Sequence, residues 1–311
     1  MSTQPSVGID MVGAGPFRIT DDEFRGFQAL VQAETGIQLP DSKRALLVGR
    51  LARRLRELGL ASFGDYYRLV TDRRDPSERT RMIDRLCTNE TSFFREPKHF
   101  EFLEREVLAK WAAETPVGGR RVRAWSAACA TGEEPFSLAM TLLAHLPGWE
   151  IEVVASDLST RALDEARAAV WSIEQSAEIP ERYLKAFMMR GVGARRGEMM
   201  AAPELREVVR FAHVNLHAAR YAVEGVFDLI FCRNVLIYFS NPGRAEVVGR
   251  LVRHLGPEGL LFLGHAETLN GITDELRSVG PTVYGWPETA RRPGRSRGTN
   301  RAVPTQRTGE R

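Results

Sequence analysis

Three short segments carry side chains whose types and spacing suit a charged, ribose-bearing ligand. The first, Ser126-Ala-Ala-Cys-Ala-Thr-Gly-Glu-Glu134, follows a strand-like run. Its small residues let the backbone turn tightly and come close to a ligand. The second, Ala155-Ser-Asp157, ends the next strand-like run in a carboxylate, which can accept hydrogen bonds from a ribose diol. The third, Phe227-Asp-Leu-Ile-Phe-Cys-Arg-Asn234, is nearly all apolar and then abruptly polar at Arg233 and Asn234. This spacing fits a nicotinamide dinucleotide and S-adenosylmethionine alike. Glu133 and Glu134 separate the two. A pyrophosphate requires bare N–H groups at the helix start that follows the first turn, and two carboxylates there would repel it. They are compatible with a sulfonium and an ammonium, so the residues favour S-adenosylmethionine.

These segments need strands that end at one edge. After Arg95, strand-like and helical runs alternate: Val122–Ala127, Ile151–Ser156, Phe227–Cys232 and Leu260–Leu263 as strands, Glu134–Leu146, Thr160–Val170 and Pro242–Leu255 as helices, with Val283–Tyr284 closing the series. Alternation of this kind predicts an α/β fold with a mainly parallel sheet, whose ligands sit beyond the carboxyl ends of the strands. Residues 187–213 interrupt it with short β-like pieces around the glycine loop Arg190–Gly197, read as a small inserted β-subdomain.

Residues 18–88 have a helical pattern throughout. Thr20 caps an acidic first turn, and Phe24, Phe27, Leu30 and Val31 share one face. A second helix over Asp41–Leu58 buries Leu46, Leu47, Leu51 and Leu55, with Gly59 at its C′ position. Its other faces carry Lys43, Arg50, Arg53, Arg54 and Arg56, expected to point outward. Residues 89–99 link this domain to a catalytic domain over 100–287. Residues 1–17 are expected to be flexible.

The charge is unevenly spread. Residues 291–311 hold seven Arg and one Glu, a net +6 against +3 for the whole chain, so the remainder is acidic. Such a body is not a nucleic-acid binder, and the polar segment 288–311 is expected to be disordered. No apolar run is long enough to insert in a membrane, and the N-terminus lacks a signal-peptide pattern. Cys87, Cys129 and Cys232 are far apart, lack metal-ligand spacing and read as buried residues of a cytoplasmic protein. No metal is expected, and the six histidines, His213 and His265 among them, read as structural.

Taken together, the segments resemble the chemotaxis receptor glutamate methyltransferases, the CheR family. The resemblance rests on Asn89-Glu-Thr-Ser-Phe-Phe-Arg-Glu96, on Trp125–Ser137, on Ala155-Ser-Asp157, on Phe231–Phe239 and on Gly259-Leu-Leu-Phe-Leu-Gly-His-Ala-Glu267, in matching order over about residues 20–287. It implies an all-helical N-terminal domain followed by a Rossmann-like S-adenosylmethionine-dependent methyltransferase domain with an inserted β-subdomain. Carried over by position, it assigns cofactor contacts to Asn89, Thr91, Arg95, Glu134, Asp157, Asn215, Leu216, Arg233 and Asn234. Glu134 rather than Glu133, and the pair Asn215-Leu216, come from the resemblance alone. Gly191, Gly193 and Gly197 resemble the loop of members that dock on a receptor's C-terminal pentapeptide.

The reaction so implied moves a methyl group from sulfonium to a glutamate carboxylate on the cytoplasmic domain of a receptor. That carboxylate is already ionised at pH 7, so no strong base is needed and positioning does the work. Arg95 and Tyr238 are placed near the reacting carboxylate. Arg50, Arg53, Arg54 and Arg56 are assigned to the acidic receptor helix. The chain is expected to act as a monomer. A non-catalytic S-adenosylmethionine-binding adaptor, or a methyltransferase acting on RNA or another protein, are the alternatives.

Overall fold

The computed structural model describes residues 17–72, 74, 76–114 and 120–287. The expectations for residues 1–16 and for the Arg-rich segment 288–311 lie outside the described residues.

The described residues begin with four α-helices, α1 (Asp21–Thr35), α2 (Arg44–Glu57), α3 (Phe63–Thr71) and α4 (Pro76–Leu86). Thr20 caps α1 reciprocally. Its hydroxyl accepts from Glu23 N at 3.2 Å while Glu23 Oε2 accepts from Thr20 N at 2.8 Å, which satisfies two donors that a helix start leaves open. Gly36 ends the helix at φ 72°, a left-handed conformation that suits glycine. Phe24, Phe27, Leu47, Leu51, Leu55, Phe63 and Val70 are fully buried in one cluster. At about 1.5–3 kcal/mol for each large apolar side chain, this core holds the domain.

A helical stretch missed by sequence periodicity follows. It comprises α5 (Pro97–Phe102), a π-helical segment Leu103–Leu108 and α6 (Ala109–Glu114). It leads into the main sheet of seven strands: β1 (Arg121–Ala127), β2 (Glu150–Asp157), β6 (Val209–His213), β7 (Phe227–Cys232), β8 (Leu255–Leu263), β9 (Arg277–Gly280) and β10 (Val283–Gly285), in the order β6-β2-β1-β7-β8-β10-β9. The pairs from β6 to β8 are parallel, and those of β10 with β8 and β9 are antiparallel. The helices α7 (Glu133–His145), α8 (Thr160–Ala168) and α11 (Asn241–Arg253) link the parallel strands. The strand order reverses at β1, so the ends of β1, β2 and β7 border one crevice. That crevice is the expected binding position in such a sheet.

The inserted subdomain differs from its expected bounds. Its antiparallel sheet, β3-β5-β4, consists of β3 (Val170–Ser172), β4 (Met188–Arg190) and β5 (Glu198–Ala201). The helices α9 (Glu181–Phe187) and α10 (Pro203–Val208) flank β4 and β5 in the chain. The sheet therefore starts at Val170, not at 187. Val209–His213 belongs instead to the main sheet as β6, paired in parallel with Val153–Asp157. The reason is packing: Val209 is 4% exposed and lies in the main core with Val153 and Ala155.

The helical domain is tied to the catalytic domain at several points. Asp84 accepts from Thr160 N and Oγ1 at 2.7 and 2.6 Å. Asn215 Nδ2 donates to Glu34 O at 2.7 Å, and Gln38 N donates to Tyr238 O at 2.8 Å.

Candidate active site

The turn after β1 is built from left-handed residues. Ala128, Ala130 and Gly132 have φ values of 71°, 47° and 101°. A Cβ on Gly132 would meet Ala166 at 3.0 Å, so glycine also permits the approach of α8. Asp157, at the end of β2, holds this turn. Its carboxylate accepts from Ala130 N at 2.9 Å and from Ser159 N at 2.8 Å. It is 8% exposed, and burial pushes its carboxyl up from the ordinary value, against the pull of the Ser159 and Ala130 N–H groups. With the Leu158 N–H also turned to it, the carboxylate keeps one lone-pair direction open.

Glu133 and Glu134 play different parts. Glu133 is buried, accepting from Thr131 Oγ1 at 2.7 Å and from Gln175 Nε2 at 3.1 Å. Glu134 instead accepts from Ser126 Oγ at 2.6 Å and faces Arg233 Nη1 at 3.4 Å. Burial raises both carboxyls above the ordinary value. For Glu134, Arg233 and Arg95 oppose that rise.

Arg233 sits at the centre, with a side chain 1% exposed. Its guanidinium reaches Glu96 Oε2 from Nη2 at 3.0 Å and from Nε at 3.3 Å, and Nη2 also donates to the Arg95 carbonyl. Asn234, at φ 57°, donates from Nδ2 to Glu96 Oε1 at 3.1 Å, and its N–H donates to Glu267 Oε2 at 2.9 Å. Glu267 also accepts from Gly264 N and Ile237 N. Glu96 and Glu267 were missed as site residues, although both lie inside quoted motifs. Burial alone would raise the Glu96 carboxyl, but the His265 N–H, Arg233 and Asn234 hold it below the ordinary carboxylate range. His99, packed beside this group, has its imidazole lowered to about 4, first by burial and then by Arg233, and is neutral at pH 7.

Backbone strain gathers here. Of the seven non-glycine residues at positive φ among the described residues, Phe94, Glu96, Ala128, Ala130 and Asn234 border this site, and Thr282 touches His99. Each such residue costs on the order of 1–3 kcal/mol and persists where the surroundings over-determine it, as at ligand clamps.

The remaining expected residues fall at varied distances from this centre. Asn89 Nδ2 donates to Ser159 Oγ at 3.3 Å, next to Asp157. Arg95 Nη1 donates to Glu90 O at 3.0 Å and is half-buried. Thr91 is half-buried in the same junction segment. Leu216 is buried, and its carbonyl accepts from Tyr221 and Arg250. Tyr238 is half-buried in the turn Leu236–Tyr238 that follows Asn234. Cys129 and Cys232 are buried, and Cys87 is half-buried with its thiol pushed up to about 12, mainly by burial.

A cleft of about 810 Å³ opens between the two domains, lined by Arg50, Arg53, Arg81, Arg85 and Arg161, with Asn89 in its wall. Arg54 is not part of it. Its side chain is 15% exposed and grips Glu78, with Nε at 2.8 Å and Nη2 at 2.6 Å. The expected outward position of Arg54 is therefore corrected. Glu78 is 3% exposed, and a charge so buried requires a partner. Arg53 and Arg56 are exposed, whereas Arg50 is half-buried and donates to the Leu86 and Cys87 carbonyls.

Residues 89–284 match the CheR methyltransferase SAM-binding domain, and residues 22–87 match the CheR methyltransferase all-alpha domain. The chain belongs to the CheR methyltransferase family. It is similar to "Chemotaxis protein methyltransferase 2" of Pseudomonas aeruginosa, with 40% identity covering 88% of this chain and 95% of that one. It is likewise similar to "Chemotaxis protein methyltransferase" of Escherichia coli, with 40% identity over 86% and 91% of the two chains. The corresponding protein of Vibrio parahaemolyticus is 36% identical, over 84% and 94%.

As a CheR methyltransferase, the protein is an S-adenosylmethionine-dependent enzyme, and its donor set fits that cofactor. The crevice offers a carboxylate at the β2 end and a paired Glu134–Arg233 at the β1 and β7 ends. Two acidic residues open α7, an arrangement hostile to a pyrophosphate. The mainly parallel sheet, the preceding helical domain and the inserted antiparallel sheet all agree with the fold that the sequence resemblance implied.

Proposed function

We propose that the protein methylates glutamate side chains on the cytoplasmic domains of chemotaxis receptors, forming methyl esters. The observation that carries this reading is the basic cleft. Five arginines against two carboxylates, Asp84 and Glu165, line a space that also touches Asn89, which neighbours Asp157 through Ser159. An acidic helix would be drawn to such a surface and raised in encounter rate.

The cofactor supplies an electrophilic methyl on sulfonium. The chain's own residues bind and orient. Asp157 is assigned to the ribose hydroxyls, with Asn89 and Thr91 beside it and Asn215 and Leu216 towards the base. Glu134, Arg233 and Asn234 are assigned to the amino-acid end. Arg95 pairs with the incoming carboxylate and Tyr238 donates to it. Holding oxygen, methyl carbon and sulfur in line accounts for several kcal/mol of barrier lowering, with no base required.

The glycine loop between β4 and β5 is assigned to a receptor-tail peptide, added as a strand at an edge of the small sheet. Gly193 and Gly197 have φ of 59° and 96°, and a Cβ on Gly191 would lie 2.1 Å from the Arg195 carbonyl. The three glycines therefore hold one loop shape, with Val192 81% exposed at its tip. The protein is taken to act as a cytoplasmic monomer. Among the described residues, no helix is long and apolar enough to cross a membrane.

The test uses receptor-containing membranes and S-adenosylmethionine carrying a radioactive methyl. Label on receptor protein that mild alkali releases as methanol supports the reading. Alkali-stable label, or label on RNA only, overturns it.

A further inference from the structure

The cluster of Glu96, His99 and His265 is assigned no direct contact with a methyl donor or acceptor, yet Glu96 accepts from Arg233 and Asn234. One ligand-type atom from each of the three lies within 4.8 Å of the others. His99 Nδ1 is 3.4 Å from Glu96 Oε2, and His265 Nε2 is 3.9 Å from the same oxygen. His99 is 2% exposed, and its Nδ1 is buried without a hydrogen-bond partner. Its other nitrogen, Nε2, is engaged 2.8 Å from Thr282 Oγ1. An unengaged ring nitrogen thus faces a carboxylate oxygen that Arg233 also holds.

A buried polar atom left this way costs free energy. A small cation bound there would give His99 Nδ1 the partner it lacks. Two imidazoles and one carboxylate form a set that zinc accepts, with metal–ligand bonds of about 2.0–2.2 Å and an open fourth position for water. Ligand atoms around such an ion lie roughly 3.3–3.5 Å apart, which follows from tetrahedral geometry at those bond lengths. The His99–Glu96 separation is already in that range. The His265 side chain is half-exposed and needs only a small shift.

The same oxygen, Glu96 Oε2, is the one that Arg233 holds. A dication there repels the guanidinium and competes with it. Glu96 also positions Asn234. We propose that Glu96, His99 and His265 form a site for a divalent cation of the zinc class, and that filling it takes Glu96 from Arg233 and Asn234 and turns the enzyme down. The regulatory half of this proposal rests on the assignment of Arg233 and Asn234 to the cofactor. The metal-binding half does not.

The test is calorimetric titration of the full chain with zinc chloride, with no methyl acceptor present. One zinc per chain is expected. His265→Ala removes an exposed ligand and should leave the fold intact, and it should weaken binding by at least about tenfold. Cobalt(II) as a spectroscopic probe should give visible ligand-field bands without thiolate charge transfer, since no cysteine contributes. S-adenosylmethionine affinity should fall as zinc fills the site in the wild type, stay constant in His265→Ala, and return with a chelator. Absence of stoichiometric binding, equal zinc affinity in His265→Ala, or a thiolate band overturns the site. Zinc binding that leaves cofactor affinity unchanged overturns the regulation. A lack of receptor methylation in metal-free protein would instead count against the proposed substrate.

Discussion

Glu96 and Arg233 form a pair enclosed by the protein, 3.0 Å apart, that joins the segment between the domains to the end of β7. Each is held by more than the other: Glu96 also accepts from Asn234 and the His265 N–H, and Arg233 also faces Glu134. The pair fixes where the helical domain's exit meets the cofactor crevice.

Replacing Glu96 with Gln keeps the shape and removes the charge. Breaking one side of a buried ion pair costs about 3–5 kcal/mol, so urea denaturation should show a loss of that order, and turnover should fall with it. Equal stability of Glu96→Gln and wild type would show that Arg233 finds its compensation elsewhere.

Asp157 holds the turn after β1 and is proposed to hold the ribose as well. Asp157→Asn retains one acceptor oxygen for the turn and loses the charge and the other acceptor. S-adenosylmethionine affinity should fall by about 1–3 kcal/mol, the cost of polar ligand groups left poorly paired. Calorimetry on folded mutant protein is the measurement, and wild-type affinity there would remove Asp157 from the ribose site.

Much of this was legible in the sequence, for identifiable reasons. Phe227–Cys232 and the cap at Thr20 follow from local patterns, an apolar run with an abrupt polar end and a capping box. The bounds of the inserted sheet were not legible. Val170–Ser172 is only three residues long, and its partner Glu198–Ala201 lies far along the chain. Nor does a single strand pattern say which sheet it joins, and so Val209–His213 was misplaced. Arg54 illustrates a limit of helix-face reasoning. Its position is polar by periodicity, but its charge is claimed by Glu78 from another helix. Glu96 and Glu267 were hidden because most of their partners, Arg233, Asn234 and His265 for Glu96 and Asn234 and Ile237 for Glu267, are distant in sequence.

The corrected place of Arg54 separates two neighbouring arginines. Arg53→Glu should lower receptor methylation several-fold at low salt, less at high salt, because exposed charges are screened. It should leave melting unchanged. Arg54→Glu should lower the melting temperature by removing the partner of Glu78. Rates at two salt concentrations and a thermal melt of each variant decide the matter. An unaltered rate in Arg53→Glu would mean that the arginine only solvates the surface.

The Glu78 pair also sets a pH dependence. Burial opposes ionisation of Glu78, but Arg54 and Tyr66 hold its carboxyl below the ordinary 4.5. A carboxyl lowered on folding stabilises above its unfolded value, and that contribution is lost as pH falls through the folded value. The wild type should therefore lose melting temperature below about pH 4.5 more steeply than Glu78→Gln, which starts lower and lacks this titration. Parallel melting curves for the two proteins down that range would contradict the assignment.

The proposed function turns on where the methyl goes. Receptor cytoplasmic fragments should be incubated with the full chain and S-adenosylmethionine, digested, and sequenced by mass spectrometry. The expected result is added methyl on glutamate side chains of the receptor helices, absent when the cofactor is omitted and removed by mild alkali. Methyl groups found only on lysine, arginine or RNA, or no transfer by a protein that binds the cofactor, would contradict it.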